Sequence, residues 1–453
     1  MPLPDLVVRG QQVVTHESVR PASVHVRGGR VADVRAFEDV PAGCAVVEAG
    51  RLVVLPGLVD SHVHVNEPGR AEWEGFKTAT RAAAAGGTTT IVDMPLNSRP
   101  PTTTVEHFRE KLAAAEGKCR VDVAFWGGVV PGNRGDLAPL RAEGVVGFKC
   151  FLVHSGVEEF PHVTEAELRP ALQELARLGA TLIAHAELPG PIEAAAGVGV
   201  DDPRRYETFL RSRPRAAEDE AVRLLVRLCR ETGARVHVVH HSSADSLPLL
   251  AAAREEGLPL TAETCPHYLS FAAEEVPEGA TEFKCCPPIR ERANREQLWD
   301  ALGRGVIGMV VSDHSPCPPE LKRRDEGDFM QAWGGISSLQ FRLPIMWTEA
   351  QRRGHTLADL ARWLAREPAR LAGLGGRKGS IAPGLDADLV IFDPEATFRV
   401  TPDLVEHRHK LTPYAGRTLA GVVEATFLRG RRIYERGEFA EGPAGELLKS
   451  RES

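Results

Sequence analysis

A chain of 453 residues, 43% of them hydrophobic, can fill a sizeable core and supports one large domain with a smaller companion. Its formal net charge of −7, with acidic and basic residues interspersed, offers no basic stripe for nucleic acid or an anionic membrane, and no window reaches the roughly 18 consecutive apolar residues of a membrane span. Eight scattered cysteines and an N-terminus, MPLPDLVVRG, without a basic segment leading into an apolar one are expected of a reduced, cytoplasmic protein.

Residues 3 to 55 alternate apolar and polar and carry glycine turns, as in ASVHVRGGRVADVRA, which predicts short strands. From Leu58 the pattern changes to eight apolar or β-branched runs: Leu58–His64, Thr88–Met94, Val121–Val129, Val145–Phe151, Thr181–His185, Arg235–His240, Leu260–Cys265 and Ile307–Ser312. Helical spacing of apolar residues falls between them, at Glu72–Ala85, Val105–Ala115, Glu165–Leu178, Ala217–Thr232, Ala244–Glu256 and Arg292–Leu302, with a shorter piece around Asp136–Glu143. Eight strands alternating with helices predict an α/β fold, a (β/α)8 TIM-like barrel over residues 56–375. Residues 376–440 return to alternation (ADLVIFDP, GVVEATFLRGRRIYERGEF), so 1–55 and 376–440 are expected to pair into a small β-sandwich domain formed by both termini. The polar stretch EGPAGELLKSRES, 441–453, is expected to be a flexible tail, and the length and Gly/Pro content of segment 190–215 leave room for a lid without the sequence deciding it.

Chemistry collects at the ends of the predicted strands. Side chains alternate along a strand, so His62 and His64 point to one side and Val63 and Val65 to the other. Further strand ends supply Lys149, His185, His240 or its neighbour His241, and Asp313, and the C-terminal ends of barrel strands are where such folds build active sites. Several imidazoles and a carboxylate gathered in one volume would be costly to desolvate unless a cation sat among them. Imidazole with carboxylate suits zinc, iron, cobalt or manganese better than calcium or magnesium. Lys149 fits once its amine is neutral, because a neutral amine can add carbon dioxide to give a carbamate that could bridge two metals. Singly, each residue has a plainer reading as a satisfied core histidine, a snorkelling lysine or a capping turn; their joint position argues for a metal site. His154, His162, His267 and His314 are assigned to the surroundings of the site or to the surface.

The stretches GLVDSHVHVNEPG, AAAAGGTTTIVDMPLNSRPPTT, GFKCFL, AHAE, ETCPHYL and SDHSPC resemble the cyclic amidohydrolases of the amidohydrolase superfamily over nearly the whole chain. Within that group, HVNEPGR and DMPLNS are most similar to the allantoinase family, whose members open the hydantoin ring of allantoin to allantoate. The resemblance implies one metal on His62, His64 and Asp313, a second on His185 and His240, and carboxylated Lys149 with a hydroxide bridging them. The family pattern of His, one residue, then Ser selects His240 over His241. Asp313 would carry a proton from the attacking hydroxide to the leaving nitrogen, and a homotetramer is implied as the assembly.

Dihydroorotase-like members of the group have arginine at the position of Asn66, where it can hold a carboxylate. An amide there favours a neutral ring such as allantoin, so Asn66 and Asn97 are candidate substrate contacts, although both also suit simple turns. Hydantoinase or dihydropyrimidinase activity is the alternative reading. A scaffold relative that has lost its metal ligands is disfavoured because every ligand position is filled, and Cys150, Cys265, Cys286 and Cys317, near the expected mouth, are superfluous as nucleophiles beside a metal.

Overall fold

The computed structural model describes residues 3–196 and 202–450. The chain begins with Leu6–Val14 (β1), Val19–Arg27 (β2), Arg30–Arg35 (β3) and Ala45–Pro56 (β4), where β1 pairs antiparallel with β2 and parallel with β4. Period-two alternation in β4 serves two interiors at once. Val53 and Leu55 pack into the large central core, whereas Val54 packs into a small separate core beneath the sheet.

The barrel strands follow: Leu58–Val63 (β5), Thr88–Asp93 (β6), Asp122–Phe125 (β7), Gly127–Gly128 (β8), Phe148–Phe151 (β9), Thr181–His185 (β10), Arg235–Val238 (β11), Leu260–Thr264 (β12) and Met309–Val310 (β13). All neighbours run parallel, in one arc of β5, β6 and β7 and a second from β8 through β13. Between them lie Phe76–Ala85 (α1), Val105–Ala115 (α2), Leu137–Glu143 (α3), Glu165–Arg177 (α4), Pro189–Ala195 (α5), Tyr206–Ser212 (α6), Arg215–Thr232 (α7), Leu247–Glu255 (α8), Pro266–Ser270 (α9) and Arg292–Gly303 (α10), then Arg342–Gln351 (α11). Local chemistry sets several of these ends. Thr104 caps α2 through the His107 N–H, and Thr164 with Glu167 forms a reciprocal capping box on α4.

The third predicted strand, Val121–Val129, is divided at Trp126, whose N–H bonds Asp93 O and whose indole donates to Ser61 O. The first predicted helix begins four residues late, at Phe76. Gly75, at φ 101°, turns the chain, and Glu74 is thereby carried inward to His314. Segment 190–215 holds α5 and α6 rather than an open loop; its residues 197–201 lie outside the described residues.

No backbone ladder joins β5 to β13 among the described residues, and buried side chains bridge the two instead. Asp60 accepts the Ser312 N–H at 3.1 and 3.2 Å, and the Arg342 guanidinium donates to Val59 O at 3.0 Å and Val310 O at 3.2 Å. Further along, the His64 N–H reaches His314 O at 2.8 Å.

The last strands, Leu389–Arg399 (β14), Thr418–Leu428 (β15), Arg431–Glu435 (β16) and Glu438–Phe439 (β17), complete one eight-stranded sheet with the first four, in the order β17-β16-β15-β14-β4-β1-β2-β3. The polar C-terminal stretch, expected to fray, is docked as far as residue 450. Val123 N–H bonds Glu446 O, Leu448 N–H bonds Val123 O, and Leu448 is buried. Its single apolar pair, Leu447 and Leu448, finds a site against β7 that the tail's composition conceals.

Candidate metal centre

His62 and His64 leave β5 on one side, while Val63 and Val65 enter the central core on the other. His62 Nδ1–H donates to Glu263 Oε1 at 2.6 Å, which leaves the Nε2 lone pair facing Asp313. Asp313 Oδ1 lies 3.1 Å from His62 Nε2 and 3.6 Å from His64 Nε2, yet His62 Nε2 has no properly aligned hydrogen bond. Ligand-type atoms of these three buried residues all lie within 4.8 Å of one another. Such a trio of converging lone pairs suits a cation better than it suits its own members.

Across the mouth, β10 ends in His185, and His240 follows β11. Their Nδ1 and Nε2 atoms stand 3.0 Å apart, and His185 Nε2–H donates to Glu187 Oε2 at 2.7 Å, so the facing Nδ1 carries a lone pair in the neutral ring. The His62 and His240 ring centres are 5.4 Å apart, which joins the two groups. His241 points away, toward Ser246 Oγ at 3.4 Å. Lys149, on β9, is fully buried, and its Nζ has no hydrogen-bond partner among the described residues; it lies 4.9 Å from the Phe151 ring centre. Phe151 in turn stacks on His185, with ring centres 4.6 Å apart.

Burial dominates the electrostatics and pushes each group toward neutrality unless an opposite charge answers it. It lowers Lys149 to about 8, His64 to about 3, His185 below its ordinary value and His240 far below. Burial alone would also depress His62, but the Asp313 and Glu263 carboxylates raise it. Burial works to raise Asp313, and the charges of His62 and His64 hold it well below the usual carboxylate range instead. The result is neutral imidazoles at His64, His185 and His240, a His62 whose proton is favoured by its two carboxylate partners, one anionic carboxylate and an easily deprotonated amine. The orphaned Lys149 Nζ and the unaligned His62 Nε2 fit a site built to receive a cation.

Asn66 and Asn97 take left-handed backbone, φ 67° and 63°. Asn97 Nδ2 lies 3.5 Å from His64 Nδ1, and Asn66 donates to Pro316 O at 3.3 Å while its Oδ1 is buried and unpartnered. His154 is exposed and His162 half-buried, whereas His267 and His314 are fully buried beside the centre.

The sequence reading missed the carboxylates behind the histidines. Glu263 holds both His62 and His237, and Glu187 holds His185 while receiving a two-pronged bond from Arg213 at 2.6 and 3.0 Å. Glu218 accepts the Ser242 and Ser243 N–H groups just after His240, and is paired with Arg290 at 2.6 Å. Asp93 accepts the Val65 N–H just after His64 and is paired with Lys111 at 2.6 Å. Such partners fix ring orientation and tautomer.

The pattern that defines the amidohydrolase family matches residues 53–433. The chain belongs to the amidohydrolase family. Among its relatives in that family, the allantoinase of Streptomyces avermitilis is 54% identical over 445 residues, covering 98% of each chain. The allantoinase of Saccharomyces cerevisiae is 50% identical over 399 residues, 87% of this chain and 86% of the yeast protein. Among solved structures, the L-hydantoinase (dihydropyrimidinase) of Arthrobacter aurescens superposes with a TM-score of 0.92 at 32% identity, covering 99% of this chain and 100% of that one. The amidohydrolase family is metal-dependent, and the groups just described are this member's candidate metal ligands.

Proposed function

We propose that the protein hydrolyses allantoin to allantoate, opening the hydantoin ring with water. The observation that carries this reading is the near-full-length match to relatives named allantoinases, joined to a strand-end donor set in which no expected position is blank. His62, His64 and Asp313 would hold one divalent ion and His185 and His240 a second, with Lys149 shared as its carbamate; zinc is the proposed ion, and iron, cobalt or manganese suit the same donors. Bound metal supplies a Lewis acid for the ring carbonyl and brings the pKa of water toward ~7.

The chain's own residues do the rest. Glu263 and Glu187 hold His62 Nδ1–H and His185 Nε2–H, so that each ring presents its other nitrogen inward. Lys149, lowered to about 8 by burial, reaches the neutral amine that adds carbon dioxide and releases one proton. Asp313 accepts a proton from the attacking water and returns it to the ring nitrogen as the carbon–nitrogen bond breaks. Asn66 Oδ1, buried and unpartnered, offers an acceptor to a ureido N–H, and its neutral amide gives no particular welcome to a substrate carboxylate. The eight free cysteines suit a reducing cytoplasm, and a homotetramer is the proposed assembly, which a monomeric mass in solution would refute.

Removal of metal by a chelator, followed by return of zinc, manganese or cobalt with bicarbonate, tests the reading. Allantoin hydrolysis should vanish and then return; hydrolysis that persists in the metal-free protein would refute it.

A further inference from the structure

A second group of donor atoms meets the same aspartate. Candidate ligand atoms of Cys265, His267 and Asp313 lie within 4.8 Å of one another, and all three residues are buried. Cys265 follows β12 directly, and His267 lies two residues on, in α9. His267 is fully buried, yet neither ring nitrogen has a hydrogen-bond partner among the described residues. A buried imidazole rarely goes without a partner on both nitrogens, and nothing in the proposed reaction uses this one.

Thiolate, imidazole and carboxylate together suit zinc and its thiophilic neighbours rather than magnesium or calcium. The acidic group at the barrel's opposite end, Asp122, Asp386 and Asp388, is a useful contrast, because Lys378 Nζ already sits among it at 2.5 and 2.8 Å and supplies the positive charge. Among the described residues no lysine or arginine is hydrogen-bonded to the Cys265 thiol or the His267 ring, although the charges of Lys149 and Arg342 are felt at Cys265.

We propose that Cys265, His267 and Asp313 form an inhibitory site for a thiophilic divalent cation, distinct from the ions that serve the reaction and sharing Asp313 with them. The inhibitory half rests on the reading of Asp313 as the proton carrier. As the cation binds, the Cys265 Sγ–H bond gives way to an Sγ–metal bond, the proton passes to solvent, and nothing is oxidised. A lone pair of Asp313 is then committed to the added ion and is lost to proton transfer. Burial keeps the Cys265 thiol protonated at neutral pH, so the site favours cations able to displace a thiol proton.

The test is titration of the metal-loaded enzyme with cadmium chloride, following allantoin hydrolysis, cadmium retained per chain and the ultraviolet thiolate-to-cadmium absorption. The proposed catalytic donors include no sulfur, so cadmium exchanged into them gives no such band. The band should grow with inhibition. Cys265→Ser should lack it, and both Cys265→Ser and His267→Gln should match the parent's cadmium-free rate yet need at least tenfold more cadmium for half-inhibition. The same band and the same inhibition in Cys265→Ser would overturn the proposal. Should that variant fail to fold, judged by its melting curve, unaltered cadmium sensitivity of His267→Gln would overturn it equally. A protein that hydrolyses no allantoin but forms the Cys265-dependent band refutes the functional reading and leaves the cation site; an active enzyme without that band refutes the site alone.

Discussion

His240 and Asp313 hold φ of 37° and 44°, left-handed values that cost a residue with a β-carbon about 1–3 kcal/mol each. The cost is carried by neighbours. Glu218 grips the two N–H groups after His240, while Ser312 Oγ accepts the His314 N–H at 3.1 Å beside Asp313. Strain at these two residues sends both side chains into the mouth. Asp313→Asn keeps the shape of the side chain but removes its capacity to take up a proton, so kcat for allantoin should fall by about 10²-fold or more with an unchanged circular dichroism spectrum. A loss of less than twofold would contradict the proton role. His62, His64, Lys149, His185 and Asp313 stood out as candidates in the sequence because polar residues at the ends of apolar runs are expensive, whereas only the family pattern chose His240 over His241. Glu187, Glu218 and Glu263 were not, because a glutamate in a strand or helix ordinarily faces water, and their partners include groups as far away in sequence as His62 from Glu263.

At the scale of elements, the alternation of strands and helices was legible wherever a short run of apolar and β-branched residues stood between helical patterns, as in β6 and β10. It failed where one backbone dihedral or one large ring decides the outcome, at Gly75 before α1 and at Trp126 between β7 and β8. The seam between β5 and β13 could not be read at all, since Asp60 and Arg342 are 282 positions apart in the chain. Arg342 is fully buried there, with its Nε 3.5 Å from Asp60 Oδ2 and its remaining nitrogens on the carbonyls of Val59, Val310 and Leu364. Removing it leaves the buried Asp60 charge with only the Ser312 and His62 N–H groups to answer it and withdraws a donor from three carbonyls. Arg342→Ala should therefore cost about 3–5 kcal/mol, read from the urea midpoint at constant slope. A cost under about 1 kcal/mol would show that the seam holds without it.

Over the whole molecule, the end of the barrel opposite the metal centre is tied by charge. Lys378 joins Asp122 of β7 to Asp386 and Asp388 before β14, and Arg429 and the Glu446 N–H bind the same Asp122. One buried cluster thus fastens barrel, terminal sheet and C-terminal stretch together. Burial opposes the charge on Lys378, but Asp388, Asp122 and Asp386 prevail and raise its pKa. A lysine so raised contributes fully below its ordinary value of about 10.4, and the contribution is lost as pH climbs above that value. Lys378→Met should cost about 3–5 kcal/mol at neutral pH and flatten the alkaline decline in stability; an unchanged alkaline limb would contradict this. The metal centre at the other end carries the functional claim, and a direct competition of substrates tests it best. Purified, metal-loaded protein should be offered allantoin, hydantoin, dihydrouracil and dihydroorotate, with kcat/KM measured for each. The account predicts that allantoin, released as allantoate, is preferred over all three, with dihydroorotate the poorest. Preference for another ring would leave the barrel and its donors standing and contradict the assignment of substrate.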